Sequence, residues 1–154
     1  MIMKNLILVF TLFSVCVFSQ FKVTESSEDW QIIGNHYNTI YLYKNNNKAK
    51  IHYLEFNSVL NKNPTEYDFI FSVDDKTLDE IYKIIEEHFK TKKEETLTLE
   101  FPEGKMYLNF FNSLGYTFVF QFDKNNGIVD KNNSAKLETY GLNINRVNKL
   151  FGKK

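Results

Sequence analysis

Cysteine, arginine, proline and glycine are scarce in this 154-residue chain. The single cysteine, Cys16, excludes an internal disulfide and any metal site built from several thiolates. The single arginine, Arg146, excludes a site that grips phosphate or carboxylate with several guanidinium forks. Two prolines and six glycines leave no Pro- or Gly-rich linker, so nothing divides the chain into domains. Neither sign of charge dominates: 19 basic residues balance 19 acidic ones, which argues against nucleic acid and anionic membrane as partners. Several catalytic signatures are missing as well. There is no Gly-x-Ser-x-Gly elbow, no P-loop, no Gly-x-Gly-x-x-Gly and no EF-hand loop.

The hydrophobic runs are short, and the longest is at the start. Lys4 is the only charge among residues 1–20, and Leu6 to Phe18 follow as an apolar stretch of 13 residues. A membrane-spanning helix needs about 20. A positive start, a short apolar core and a small residue at the exit predict a secretory signal peptide, residues 1–19, cut after Ser19. A lipid anchor on Cys16 is the rival, and the bulk of Val15 before it disfavours that reading. Cleavage leaves residues 20–154, without cysteine and with a net charge of −1. Burial alone must then hold the mature chain together, and its length suits one domain burying about two-thirds of its unfolded surface. Residues 20–29 read as a polar leader and 30–154 as a single α+β domain.

Periodicity places the elements. Thr39–Tyr43 and Ala49–Phe56 alternate on either side of an asparagine-rich break, which predicts a hairpin. Its register follows from side-chain period: Ile40 opposite Tyr53 and Leu42 opposite Ile51 on one face, Tyr41 opposite His52 and Tyr43 opposite Lys50 on the other. A slip of one residue would set Leu42 against Lys50. Trp30–Ile33 is a candidate short strand, and Tyr67–Val73 a longer one with Tyr67, Phe69, Phe71 and Val73 on one face. Leu78, Ile81, Tyr82, Ile85 and Phe89 recur at helical spacing. Thr77 and Glu80 fit a capping box at the start of that helix, and Lys90, Lys92 and Lys93 close it. Strands follow at Thr96–Phe101, Met106–Phe111 and Tyr116–Phe122, then a short helix from the N-cap Asn143 to Phe151. The expected fold is α+β: one antiparallel sheet of five or six strands packed on one amphipathic helix, with a short C-terminal helix.

The C-terminal run Val147-Asn148-Lys149-Leu150-Phe151-Gly152-Lys153 and the leader ending Phe18-Ser19-Gln20 resemble the two ends of small, uncharacterised exported proteins of the Bacteroidetes. The resemblance implies a bacterial envelope location and carries no activity or site residues.

Candidate chemistry is sparse. His52 and Glu55 stand three apart, but on a strand an odd offset sends them to opposite faces. His36 and His52, read on partner strands, would lie about 13 Å apart, too far for one metal ion. His88 falls late in the long helix, where a structural contact is expected. The acidic pairs Asp74-Asp75 and Asp79-Glu80 read as capping and solvation, and the run from Lys124 to Asp130 lacks the alternating carboxylates of a calcium loop. Asn132-Asn133-Ser134 is an N-glycosylation pattern that matters only in a eukaryote. No catalytic, metal or cofactor residues are assigned, and no cofactor is expected.

Aromatic residues are the one excess, at 16%. Tyr41, Tyr43, Tyr107 and Phe111 form a candidate aromatic binding face on the side of the sheet away from the helix, where rings can stack on sugars or peptides. The function expected is a non-catalytic binding module, periplasmic or extracellular, whose partner is an envelope protein or a glycan. It would have no stable membrane insertion once the signal is cut. The alternatives are an exported hydrolase using carboxylates gathered by the fold, and a structural accessory pairing through a sheet edge.

Overall fold

A computed structural model describes residues 29–56, 64–123 and 137–153. The elements run β1 (Gln31–His36), β2 (Ile40–Asn45), β3 (Lys48–Leu54), β4 (Glu66–Ser72), α1 (Thr77–Thr91), β5 (Glu95–Phe101), β6 (Gly104–Asn112), β7 (Tyr116–Phe122), β8 (Leu137–Glu138) and α2 (Ile144–Leu150). The α+β class and antiparallel pairing are as the sequence predicts. The single sheet of five or six strands is not. There are two antiparallel sheets of four strands each, β1-β2-β3-β4 and β5-β6-β7-β8, with α1 joining them. Both are meanders, because each strand pairs with the next in sequence.

The β2–β3 hairpin has the register derived from its alternation, with Ile40 opposite Tyr53, Leu42 opposite Ile51, Tyr41 opposite His52 and Tyr43 opposite Lys50. The turn is tighter than expected. Asn45 pairs with Lys48, leaving Asn46 and Asn47 at the tip, and Asn46 adopts φ 48°. Asparagine tolerates that left-handed conformation better than most residues.

Each sheet turns one face inward. Ile40, Leu42, Ala49, Ile51, Tyr53, Phe69 and Phe71 are buried from the first sheet, and Met106, Leu108, Phe110, Phe118, Phe120 and Phe122 from the second. The two faces meet through aromatic rings. Phe122 stacks on Tyr53 at 5.0 Å and on Phe69 at 4.6 Å, and Phe71 lies 4.8 Å from Phe101. Burying side chains of this size contributes about 1.5–3 kcal/mol each before the entropy of ordering them is counted. Burial also holds the Tyr53 hydroxyl far above its ordinary pKa, helped by Tyr67 and nearby carboxylates.

The start of α1 corrects the expected cap. Thr77 already lies in the helix, and the reciprocal pair is one turn earlier. Thr77 N–H donates to Asp74 Oδ1 at 2.7 Å, and Asp74 N–H donates to Thr77 Oγ1 at 3.1 Å. Asp74-x-x-Thr77 therefore supplies the box expected of Thr77-x-x-Glu80. Ile81, Ile85 and Phe89 are the buried stripe. His88 is structural: Nδ1 bonds the Ile84 carbonyl, Nε2 lies 2.7 Å from Glu95 Oε1, and the ring stacks on Phe110 at 4.3 Å.

Asn143 caps α2 as predicted, its side chain accepting from Arg146 N–H at 3.0 Å, and Val147, Leu150 and Phe151 are buried. The helix packs backbone against backbone on β1. A Cβ at Gly34 would lie 2.0 Å from the Lys149 carbonyl oxygen and 2.6 Å from that of Leu150, so only glycine permits this approach.

Among the described residues, no helix is long and apolar enough to cross a membrane. The signal peptide, the leader to residue 28, the run 124–130 and the Asn132-Asn133-Ser134 pattern lie outside the described residues.

Candidate functional site

The outer face of the first sheet holds the densest set of exposed chemistry. Alternation puts Ile40 and Leu42 in the core, so Tyr41 and Tyr43 must point outward. Strand pairing extends each tyrosine into a row across four strands. One row is Asn35, Tyr41, His52 and Asp68; the other is Ile32, Tyr43, Lys50 and Ile70. At about 4.8 Å between strands the patch is roughly 14 Å wide. Ile32 is 58% exposed and Ile70 36%, so apolar side chains mark both ends of the second row.

The rows are tied together. Tyr41 and Tyr43 lie nearly parallel, centroids 5.9 Å apart and planes inclined by 22°. The Lys50 ammonium sits 4.8 Å from the ring centres of both Trp30 and Tyr43, a cation–π clamp, and 3.9 Å from Asp68. His52 Nδ1 is 2.7 Å from Asp68 Oδ1, while Nε2 is 3.8 Å from Glu66 Oε2. The Tyr41 hydroxyl donates to Asn38 Oδ1 at 2.7 Å. Desolvation chiefly, with Tyr41 and Asp68 adding to it, raises the Tyr43 hydroxyl above its ordinary pKa. Tyr43 therefore stays neutral, and each ring offers a plane with a polar edge.

The His52–Asp68 pair has the geometry of a base and its orienting carboxylate. A nucleophilic triad would need the second imidazole nitrogen aimed at a hydroxyl, and here it faces a second carboxylate, Glu66. Among the described residues no group of three or more His, Cys, Asp or Glu side chains could hold a metal ion. The arrangement can present two aromatic planes, one clamped cation, two carboxylates and an imidazole to a ligand lying across the sheet.

The four aromatic residues singled out from sequence do not share one sheet. Tyr41 and Tyr43 are together. Tyr107 and Phe111 lie on β6, alternating with the buried Met106, Leu108 and Phe110, so they belong to the outer face of the other sheet. The Tyr107 hydroxyl donates to Asp123 Oδ2 at 3.1 Å. The cause is the partition of eight strands into two sheets. Trp30, Lys50 and Asp68 were missed as members. Lys50 was legible, because the hairpin register already paired it with Tyr43; Asp68 needed the β3–β4 pairing as well.

His36 also departs from expectation. It is not on the partner strand of His52, because the Tyr37–Thr39 turn folds β1 back on β2 and sets His36 opposite Ile40. It is 8% exposed and faces the opposite side of the sheet from His52. The acids of the α1 region are used locally. Asp75 lies 3.7 Å from Lys44, and Asp79 pairs with Lys153 at 2.7 Å.

Comparison with known protein families, with curated proteins and with solved structures finds no match to this chain.

Proposed function

We propose that this chain is an exported, non-catalytic binding module that holds a neutral glycan chain across the outer face of its first sheet. The observation that carries the reading is the paired platform of Tyr41 and Tyr43, with Lys50, His52 and Asp68 in register beside it. A sugar ring presents an apolar C–H face and a rim of hydroxyls. Aromatic planes suit the first, and carboxylates with an imidazole suit the second. The open, four-strand-wide surface favours a polymer lying along it over a small molecule enclosed by it. Export rests on the Lys4-led apolar leader, and the periplasm or cell exterior is where such a polymer is met.

The test is retention of the full-length chain on insoluble cellulose, chitin and peptidoglycan, compared with the Tyr41→Ala/Tyr43→Ala double variant. One polymer should retain the natural chain. The double variant should bind at least about tenfold more weakly, since two stacked rings are worth about 0.5–1.5 kcal/mol each. Both side chains point outward, so its circular dichroism should be unchanged. Failure of all three polymers, or equal retention of the double variant, overturns the reading. A single stoichiometric protein recovered by cross-linking would assign the face to a protein partner instead.

A further inference from the structure

A second feature lies on the opposite side of the first sheet, where the turn after β1 meets α2. There His36, Tyr37, Asn143, Asn145, Arg146 and Lys149 line an open pocket of about 180 Å³. That is smaller than the 300–1,000 Å³ typical of a whole organic ligand, and suits a single head group. Among the described residues no carboxylate lines it. Among the described residues Arg146 and Lys149 make no ion pair, a property they share with Lys76, Lys83 and Lys92; what sets these two apart is that both line one pocket. Arg146 Nη1 donates to the Gly141 carbonyl at 3.0 Å, which anchors the guanidinium and leaves its other N–H groups without a partner among the described residues.

One further observation points the same way. His36 is 8% exposed, and its imidazole makes no hydrogen bond to any described residue, although it lines the cavity. Burial, then Arg146, then Lys149 hold its pKa below the ordinary value, so two like charges bear on it. Tyr37 is held at φ 44°, a left-handed conformation that bulky residues rarely adopt, and its ring is 77% exposed and edge-on to His36 at 4.3 Å. With Asn38 at φ 56° it forms the left-handed tip of the β1–β2 hairpin, so the turn itself sets this conformation and places the ring over the mouth of the pocket.

We propose that this cavity binds a phosphate monoester group, with the Arg146 fork and the Lys149 ammonium as its cations and His36 as a further hydrogen-bonding partner. Two fixed positive charges match a group that carries about −1.5 to −2 near neutral pH, and a guanidinium meets two phosphate oxygens at once. A carboxylate would supply half the charge. The site lies on different residues from the aromatic face and does not depend on it.

The test is a titration of the full-length chain with inorganic phosphate, glycerol 3-phosphate and acetate, read by calorimetry. Both phosphates should bind, and acetate should bind at least about tenfold more weakly, the difference expected from one lost charge-assisted contact. Tighter binding of glycerol 3-phosphate than of the free ion would identify the ester as the ligand, and the reverse order would identify inorganic phosphate. Arg146→Gln should weaken phosphate binding about tenfold to a hundredfold. Arg146→Lys, which keeps the charge and loses the fork, should fall between. Lys105→Gln, at a paired lysine on β6, should change nothing. Lys149 is exposed and unpaired, so Lys149→Gln keeps the test open if the Arg146 variants fail to fold. Absence of phosphate binding by the natural chain overturns the proposal, as does full affinity in folded Arg146→Gln or Lys149→Gln.

Discussion

Gly34→Ala is the sharpest perturbation this fold offers. The added Cβ would lie 2.0 Å from the Lys149 carbonyl oxygen, 2.6 Å from the Leu150 oxygen and 2.9 Å from the Leu150 carbonyl carbon. Ordinary contact begins near 3.5 Å, so the backbone of α2 must retreat by about 1.5 Å. No rotamer change relieves the clash, because every atom met is backbone. Retreat lifts Val147 and Leu150, both 0% exposed, out of a closely packed core. Overpacking costs about 1–3 kcal/mol where side chains can adjust, so at least about 3 kcal/mol is expected here. Against a total stability of about 5–15 kcal/mol that is a large fraction, and it should lower Tm by about 10 °C or more. Urea unfolding reads it directly, using the fluorescence of Trp30, the only tryptophan, beside β1 and circular dichroism as a second probe. Arg146 and Lys149 ride on α2, so phosphate affinity should fall in the same variant. A Gly34→Ala protein within about 0.5 kcal/mol of the natural chain would refute the seating of α2 on β1.

Two further outcomes follow from the same structure. Phe122→Ala should cost about 3–5 kcal/mol in urea unfolding, because Phe122 is 2% exposed and its ring joins Tyr53 and Phe69 across the two sheets; a loss under about 1 kcal/mol would mean the sheets do not pack through it. Stability should also fall in acid, in two stages read as Tm against pH. His36, with its pKa depressed in the fold, contributes fully above about pH 6.5 and loses that contribution as pH falls toward its folded value, because the unfolded chain takes the proton first. Asp74, Asp79, Glu95 and Glu103 are held below the carboxylate range by hydrogen bonds, led by those from Thr77, Lys153, Lys93 and Ser72 respectively. Their contribution is present above about pH 4 and is lost below it. His36→Gln should abolish the first stage and leave the second; a Tm that does not change between about pH 7 and 5 in the natural chain would contradict the assignment to His36.

What could be read from the sequence follows the range of the interaction concerned. The β2–β3 register was legible because alternation has a period of two and a slip would bury Lys50; no distant residue is needed to decide it. The C-terminal helix was legible for the same reason, through Asn143 and the spacing of Val147 and Leu150. The cap lies one turn earlier than the pattern indicates because only Thr77-x-x-Glu80 fits the Ser/Thr-x-x-Glu/Gln rule, whereas the reciprocal bonds of Asp74 and Thr77 depend on backbone geometry that the rule does not encode. The partition into two sheets was not legible. Each strand of Thr96–Phe122 alternates as well as each strand of Thr39–Val73, and nothing in alternation says whether α1 crosses one sheet or separates two. The candidate sites divide along the same line. The aromatic face is legible where one hairpin builds it, at Tyr41, Tyr43, Lys50 and His52, and illegible where a second pairing adds Asp68. The cationic cavity joins His36 to Arg146 over more than a hundred residues, which no local pattern encodes. One signal was nonetheless present: from Thr139 onward the chain carries Arg146, Lys149, Lys153 and Lys154 and no carboxylate at all. A helix whose cations have no acids near them in sequence leaves a local excess of positive charge. Lys153 is matched by Asp79; Arg146 and Lys149 have no acid partner among the described residues and share one pocket, which is where the proposed phosphate group would sit.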